Sequence, residues 1–141
     1  MAYWLVKSEP DVFGWKEQVE HGVEPWTGVR SHQAKANLVA MKKGDLAFFY
    51  HSNIGKEIVG IVQVVREAYP DPTAGEDGKK GDWACVDMKA KSTLKRAVTL
   101  AEAKADPALA DMALVRYSRL SVGPVTEAEW THVIALSKKK A

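Results

Sequence analysis

Apolar and polar residues alternate along this chain at two different periods, and the changes of period mark its elements. The run YWLVK at Tyr3–Lys7 is almost wholly apolar and predicts a short buried strand. SEPDVFG turns the chain. Trp15 and Val19 then stand one helical turn apart and predict a short helix ending near His21 and Gly22. Ala34, Leu38 and Met41 recur at steps of four and three, the core stripe of a helix capped by Ser31, running to about Met41, with Gly44 past its end. Gln33 and Asn37 lie on the edge of that stripe. DLAFFYHS and EIVGIVQVVREA are rich in β-branched and aromatic residues, and NIGK joins them as a hairpin at the centre of an antiparallel sheet. WACVDMKA reads as a further strand and YSRLSV, Tyr117–Val122, as the last. TLAE at Thr99–Glu102 and TEAE at Thr126–Glu129 have capping-box spacing and start helices. Asp106-Pro107 is another helical start. In the final helix Trp130, Val133, Ile134 and Leu136 can face inward. Tyr69–Asp82, full of Pro, Gly and charge, reads as a mobile surface loop, and the terminal SKKKA as a solvated, frayed tail.

These elements sum to one α+β domain over residues 1–141, a curved sheet or small barrel with helices packed around it. Its 141 residues, 46% hydrophobic, suffice for one sizeable core. The longest strongly apolar stretch, Ile58–Val65, is broken by Gly60 and Gln63, so no membrane span is expected. Met1 leads straight into an apolar run without a basic leader, and a lone Cys85 rules out an intrachain disulfide. The expectation is a cytoplasmic monomer. Twenty basic residues against 18 acidic leave a net charge of +2, which does not name a partner.

The usual catalytic and metal signatures are missing. His21, His32, His51 and His132 are far apart in sequence and Cys85 has no partner at CxxC spacing, so no metal site is expected, and no cofactor motif occurs. Glu9 and Asp11 are close enough to act as an acid and base pair, although carboxylates at helix starts are common for capping reasons. What does stand out is polar and aromatic chemistry at element ends: KSEP, PWTGVRSHQAKAN, YHSN and SRLS. Gathered around one concave patch, they would offer Trp26 as a stacking face. Ser8, Asn37, Ser52 and Asn53 would bond a base edge, and Lys7, Arg30 and Arg119 would meet phosphates. Each has a second reading. Trp26 is equally a plug at the end of the core, Asn37 a backbone bridge, His51 a strand end, and Arg30 or Arg119 half of an ion pair with Glu9 or Asp11. Trp4, Trp15, Trp83 and Trp130 fit core patterns.

Taken together, YWLVKSEP, W-x-GVR-x-x-QA-x-x-N at Trp26–Asn37, M-K-x-GD-x-x-FFYHSN at Met41–Asn53, IVGIVQVVREAYPDPT and ALADMALVRYSRLSVGPVTEAEW resemble the EVE domain family over nearly the whole chain. The resemblance implies a PUA-like fold, a small curved β-barrel with flanking helices, akin to YTH domains. It implies a non-catalytic reader of a modified base in DNA or RNA, with modified cytosine in DNA favoured. Carried onto this sequence, it makes Trp26 the stacking wall and Tyr50 a candidate second wall. Lys7, Ser8 and Glu9 fall at the pocket rim or floor, with Asn37, His51, Ser52, Asn53 and Arg119 around it. Ser31 departs from the family pattern, where Asn is frequent. Two other classes compete: an enzyme on a nucleoside or nucleic acid, with Glu9 or His51 carrying protons, and a small-molecule or protein-interaction module using the same pocket.

Overall fold

The computed structural model describes residues 1–75 and 82–139. Within these residues six strands form one sheet: β1 (Tyr3–Ser8), β2 (Val23–Pro25), β3 (Leu46–His51), β4 (Glu57–Pro70), β5 (Ala84–Thr99) and β6 (Val122–Val125). Six helices accompany it: α1 (Pro10–Phe13), α2 (Trp15–His21), α3 (His32–Ala40), α4 (Leu100–Ala105), α5 (Ala113–Arg116) and α6 (Glu127–Ser137), with a 3-10 turn at Pro107–Leu109. The strand order is β2-β5-β4-β3-β1-β6. The edge strands β2 and β6 do not pair, so the expected closed barrel is corrected to an open mixed sheet. Curvature is supplied instead by bulges, at Phe49/Tyr50 and at four further points along β4 and β5.

β1 lies parallel to β3, with Lys7 opposite Tyr50 and Ser8 opposite His51. All the other pairings are antiparallel. Between these two neighbours the chain crosses one face of the sheet, pairs β2 with β5 at the far edge, and returns through α3. Strand alternation then builds two cores. Trp4, Val6, Phe49, Val62, Val86 and Met88 face Trp15, Trp26 and the Ala34–Leu38–Met41 stripe. Leu5, Phe48, Tyr50, Ile58, Leu94 and Val98 face α6 and the segments before it. On that second face Trp130 stacks on Phe48 at 3.8 Å and on Tyr3 at 4.5 Å between centroids. On the first, the Trp15 ring lies directly on the backbone of Gly60, where a Cβ would come within 2.4 Å of it.

Both capping boxes form, and Ser31 accepts the Ala34 amide as the α3 cap. Three boundaries differ from expectation. YSRLSV is no strand: Tyr117–Ser121 makes a turn closed by Leu120 N–H on the Tyr117 carbonyl, and pairing begins only at Val122, opposite Val6. β5 runs through KSTLKRAV to Thr99, because its register shifts carry polar residues that break simple alternation. The Tyr69–Asp82 segment begins as strand, with Tyr69 and Pro70 in β4 and Asp71 buried; its residues 76–81 lie outside those described. The tail differs in part: Ser137 is buried within α6, while Lys138 and Lys139 are exposed as expected. Arg96 donates to the Leu136 and Lys139 carbonyls, holding the end of α6 up to Lys139, while Lys140 and Ala141 lie outside the described residues. Among the described residues no helix is long and apolar enough to cross a membrane, and no cluster of His, Cys, Asp or Glu is placed to hold a metal ion.

Candidate nucleic-acid interface

The stretch from Glu24 to Asn37 leaves the sheet edge and enters α3. Its Trp26 N–H donates to Val86, extending the β2–β5 ladder by one bond. Gly28 then takes φ +84°, a left-handed conformation that favours glycine, and points its N–H at the Asp71 carboxylate, 2.9 Å away. Asp71 also accepts from Arg30 at 3.0 Å and from the Thr73 amide and hydroxyl, both at 2.7 Å. Burial alone would raise the Asp71 carboxyl. Hydrogen bonds from Thr73, Gly28 and Arg30 outweigh it and hold the group below its ordinary value.

Two of the expected site residues are held inside the fold. The Arg30 side chain is only 8% exposed and braces the turn through Asp71, Thr73 and the Val29 carbonyl, so it does not stand out as a cation for phosphates. Trp26 is buried at 7% exposure, with its ring edge-on to Phe49 at 5.6 Å and to Phe13 at 6.5 Å. Of its two readings, the core plug is the one this structure displays.

A second group gathers where β1 and β3 end side by side. Ser8 donates to the Phe13 carbonyl at 2.5 Å and accepts the Ser52 amide on its own carbonyl. Glu9 accepts from Asn53 at 2.8 Å, and Asn53 holds φ +65° in the hairpin turn. His51 Nε2 accepts the Trp15 N–H at 3.0 Å, which requires that nitrogen to be unprotonated. Tyr50, the candidate second wall, is 3% exposed and sits in the core on the opposite face of the sheet from Trp26. Adjacent residues of a strand point to opposite faces, so the two rings cannot enclose one base. Lys7 lies on the Tyr50 side, its Nζ 5.8 Å from that ring.

His51 gives a pH prediction. Burial lowers its pKa below the ordinary 6.5, the Glu57 and Glu17 charges opposing. A folded pKa depressed in this way favours the neutral ring, so the contribution is fully present above about 6.5 and is lost as pH falls through the folded value. Urea unfolding between pH 7.5 and 5 should show stability declining with acid. The decline should flatten in His51→Gln, whose amide oxygen still accepts the Trp15 N–H.

A cavity of about 570 Å³ lies between α3 and the turn after α5. Ser31, Gln33 and Asn37 line it on the helix side, and Tyr117, Arg119 and Pro124 on the other. Its volume suits a nucleobase with its sugar. Asn37 Nδ2 donates to the Val122 carbonyl at 2.6 Å, which fixes the amide and leaves Oδ1 as an acceptor. Asn37 and Arg119 of the expected site residues meet here. Lys7 does not line the cavity but ties the turn that carries Arg119, its Nζ donating to the Ser118 carbonyl at 3.0 Å and its N–H to the Ser121 carbonyl at 2.9 Å. Ser8, Glu9, His51, Ser52 and Asn53 form the separate group at the strand ends. Sequence reasoning missed Tyr117 because it was absorbed into a strand. Its signal was an aromatic beside Ser-Arg, without the alternation a buried strand needs.

Residues 2–136 match the family model described as EVE domain. Thymocyte nuclear protein 1 of Homo sapiens is 34% identical over 176 residues, covering 99% of this chain and 75% of that protein. Among solved structures, an NMR structure from Rhodopseudomonas palustris is 59% identical with a TM-score of 0.89, covering 97% of this chain and 93% of its own. The crystal structure of human THYN1 in complex with 5-methylcytosine containing DNA is 33% identical with a TM-score of 0.89, and the match spans 100% of both chains. A YTH domain of Zygosaccharomyces rouxii, solved with N6-methyladenosine RNA, shares the fold at 16% identity and a TM-score of 0.61, covering 99% of this chain and 88% of that one.

Proposed function

The chain belongs to the EVE domain family, and from that premise we propose that it is a non-catalytic reader of a modified base, with modified cytosine in DNA the favoured ligand. The observation that carries this reading is the match, over the whole of both chains, to the chain of human THYN1 solved with 5-methylcytosine containing DNA. In this chain the base leaves its stack and enters the cavity lined by Ser31, Gln33 and Asn37. A cytosine presents its exocyclic amine as a donor, and Asn37 Oδ1 is the fixed acceptor for it. Ser31 puts a hydroxyl at the cavity wall, where it also caps α3. Arg119 and Lys7 take the flanking phosphates, while Ser8, Glu9, Ser52 and Asn53 form the more distant rim. Trp26, Tyr50, Arg30 and His51 serve the site by holding its frame.

The enzymatic alternative draws less support from the geometry. His51 Nε2 is engaged by the Trp15 amide, and Glu9 is bonded to Asn53, so neither is poised to take a substrate proton. Incubation with modified oligonucleotides followed by mass spectrometry decides the matter. An altered base would overturn the reader.

The direct test is Asn37→Ala. It removes the acceptor facing the base, and an unmet donor in a desolvated site is worth roughly 1–3 kcal/mol. Preference for an oligonucleotide carrying 5-methylcytosine over one carrying thymine, which has a carbonyl in place of the exocyclic amine, should therefore fall roughly 5- to 150-fold, with the thermal unfolding midpoint measured alongside. Binding should weaken as salt rises, since displaced counterions accompany each phosphate contact. Affinity indifferent to salt would point to a small-molecule or protein ligand instead.

A further inference from the structure

The turn Tyr117–Ser121 joins a backbone anchored at four points to exposed side chains at Tyr117 and Arg119. Tyr117 N–H donates to Ala113 at 2.8 Å, Leu120 N–H to Tyr117 at 3.0 Å, and Lys7 secures Ser118 and Ser121. Yet Tyr117 is 57% exposed, and neither its ring nor its hydroxyl meets a partner among the described residues. Arg119, two positions on, is likewise exposed at the cavity wall. A large ring held out on an ordered backbone has little left to lose in freedom when something stacks on it.

Charge gives that contact a direction. Tyr117 and Pro124 form a ridge between two concavities. On one side is the proposed base cavity, whose lining includes Arg119 and no carboxylate. On the other is a smaller hollow of about 210 Å³, lined by Asp111 and Glu129. A phosphodiester strand is drawn to the first side and repelled from the second.

We propose that Tyr117 is the stacking platform for the nucleobase next to the recognised one, with Arg119 holding the phosphate that joins the two. This rests on the reader reading above and extends it from one base to a dinucleotide, the neighbouring base being unpaired where it meets the ring. Stacking is tolerant of sequence because every base has a π face. The platform therefore adds affinity without adding selectivity for the modification.

The test measures binding of the parent, Tyr117→Ala, Tyr117→Phe and Asn37→Ala to oligonucleotides that carry 5-methylcytosine or cytosine, each with an intact or an abasic neighbour on either side. Tyr117→Ala should bind the modified and plain forms with the same loss, roughly 5- to 150-fold, and Tyr117→Phe should bind as the parent does. An abasic neighbour on one side should erase the difference between parent and Tyr117→Ala. The thermal unfolding midpoint of Tyr117→Ala should match the parent's. If Tyr117→Ala binds like the parent while Asn37→Ala loses binding to the 5-methylcytosine oligonucleotide, the platform is wrong and the reader stands. A loss confined to the modified oligonucleotide would also overturn the platform, since Tyr117 would then touch the recognised base itself. If the parent binds none of the panel, both fall together.

Discussion

Asp71→Ala is expected to destabilise the protein by about 3–5 kcal/mol, the scale of removing one partner from a buried charge pair. Asp71 is fully enclosed, and its carboxylate is where the Gly28 amide, the Arg30 guanidinium and Thr73 converge. Alanine leaves a guanidinium only 8% exposed without that carboxylate, and leaves the Gly28 amide with no acceptor at Asp71. Urea unfolding at pH 7 measures the loss. Asp71→Asn should recover part of it, because an amide oxygen still accepts from Gly28 or Thr73 while the charge interaction is gone. Acid should mimic the substitution. The folded carboxyl sits below the ordinary 3.8, so its contribution is present above that value and is lost as pH falls through the folded pKa. A variant as stable as the parent would mean that the segment entering α3 is held by other contacts.

Trp26→Ala carries the second large effect, about 3–5 kcal/mol for truncating a buried aromatic. The ring closes one end of the first core against Phe13 and Phe49, so the cavity it would leave is lined by rings that cannot collapse without moving Val29 and α3. Binding should fall with it, because α3 carries Ser31, Gln33 and Asn37. Trp26→Phe should keep most of both. Chemical unfolding separates the two causes: a Trp26→Ala protein that folds as firmly as the parent yet binds nothing would return Trp26 to the role of a stacking wall.

These two residues also mark the limits of what was legible in the sequence. Local signals were strong: Ser31, Thr99 and Thr126 announce helix starts, and each side chain does accept the expected amide. The stripe Ala34–Leu38–Met41 is buried as its spacing predicts. Pairing partners that are distant in sequence were not legible. Nothing local to Arg30 says that its carboxylate is Asp71, inside a Pro- and Gly-rich segment that resembles a free loop. Nor does YSRLSV reveal that it turns, because two of the bonds that hold it come from Lys7, over a hundred positions away in the chain. Tyr50 follows Phe49 in a wholly apolar run, where alternation leaves no mark in the composition and only the register shows which face each ring takes.

The placement of β1 has a consequence for how the molecule comes to be folded. Tyr3–Ser8 is flanked by β3 on one side and β6 on the other, with Tyr3 facing both Leu46 and Val125. Contacts that span so much of the chain form late, since the loops they close are long. During synthesis the earliest strand must wait for almost the latest one before its second edge is covered. Asn37 gains its Val122 anchor, and Lys7 its hold on Ser118 and Ser121, in that same closing event. A ribosome-bound chain that lacks residues 117–125 therefore presents an incomplete cavity and an uncovered strand edge, so ligand binding can begin only once the domain is nearly all made.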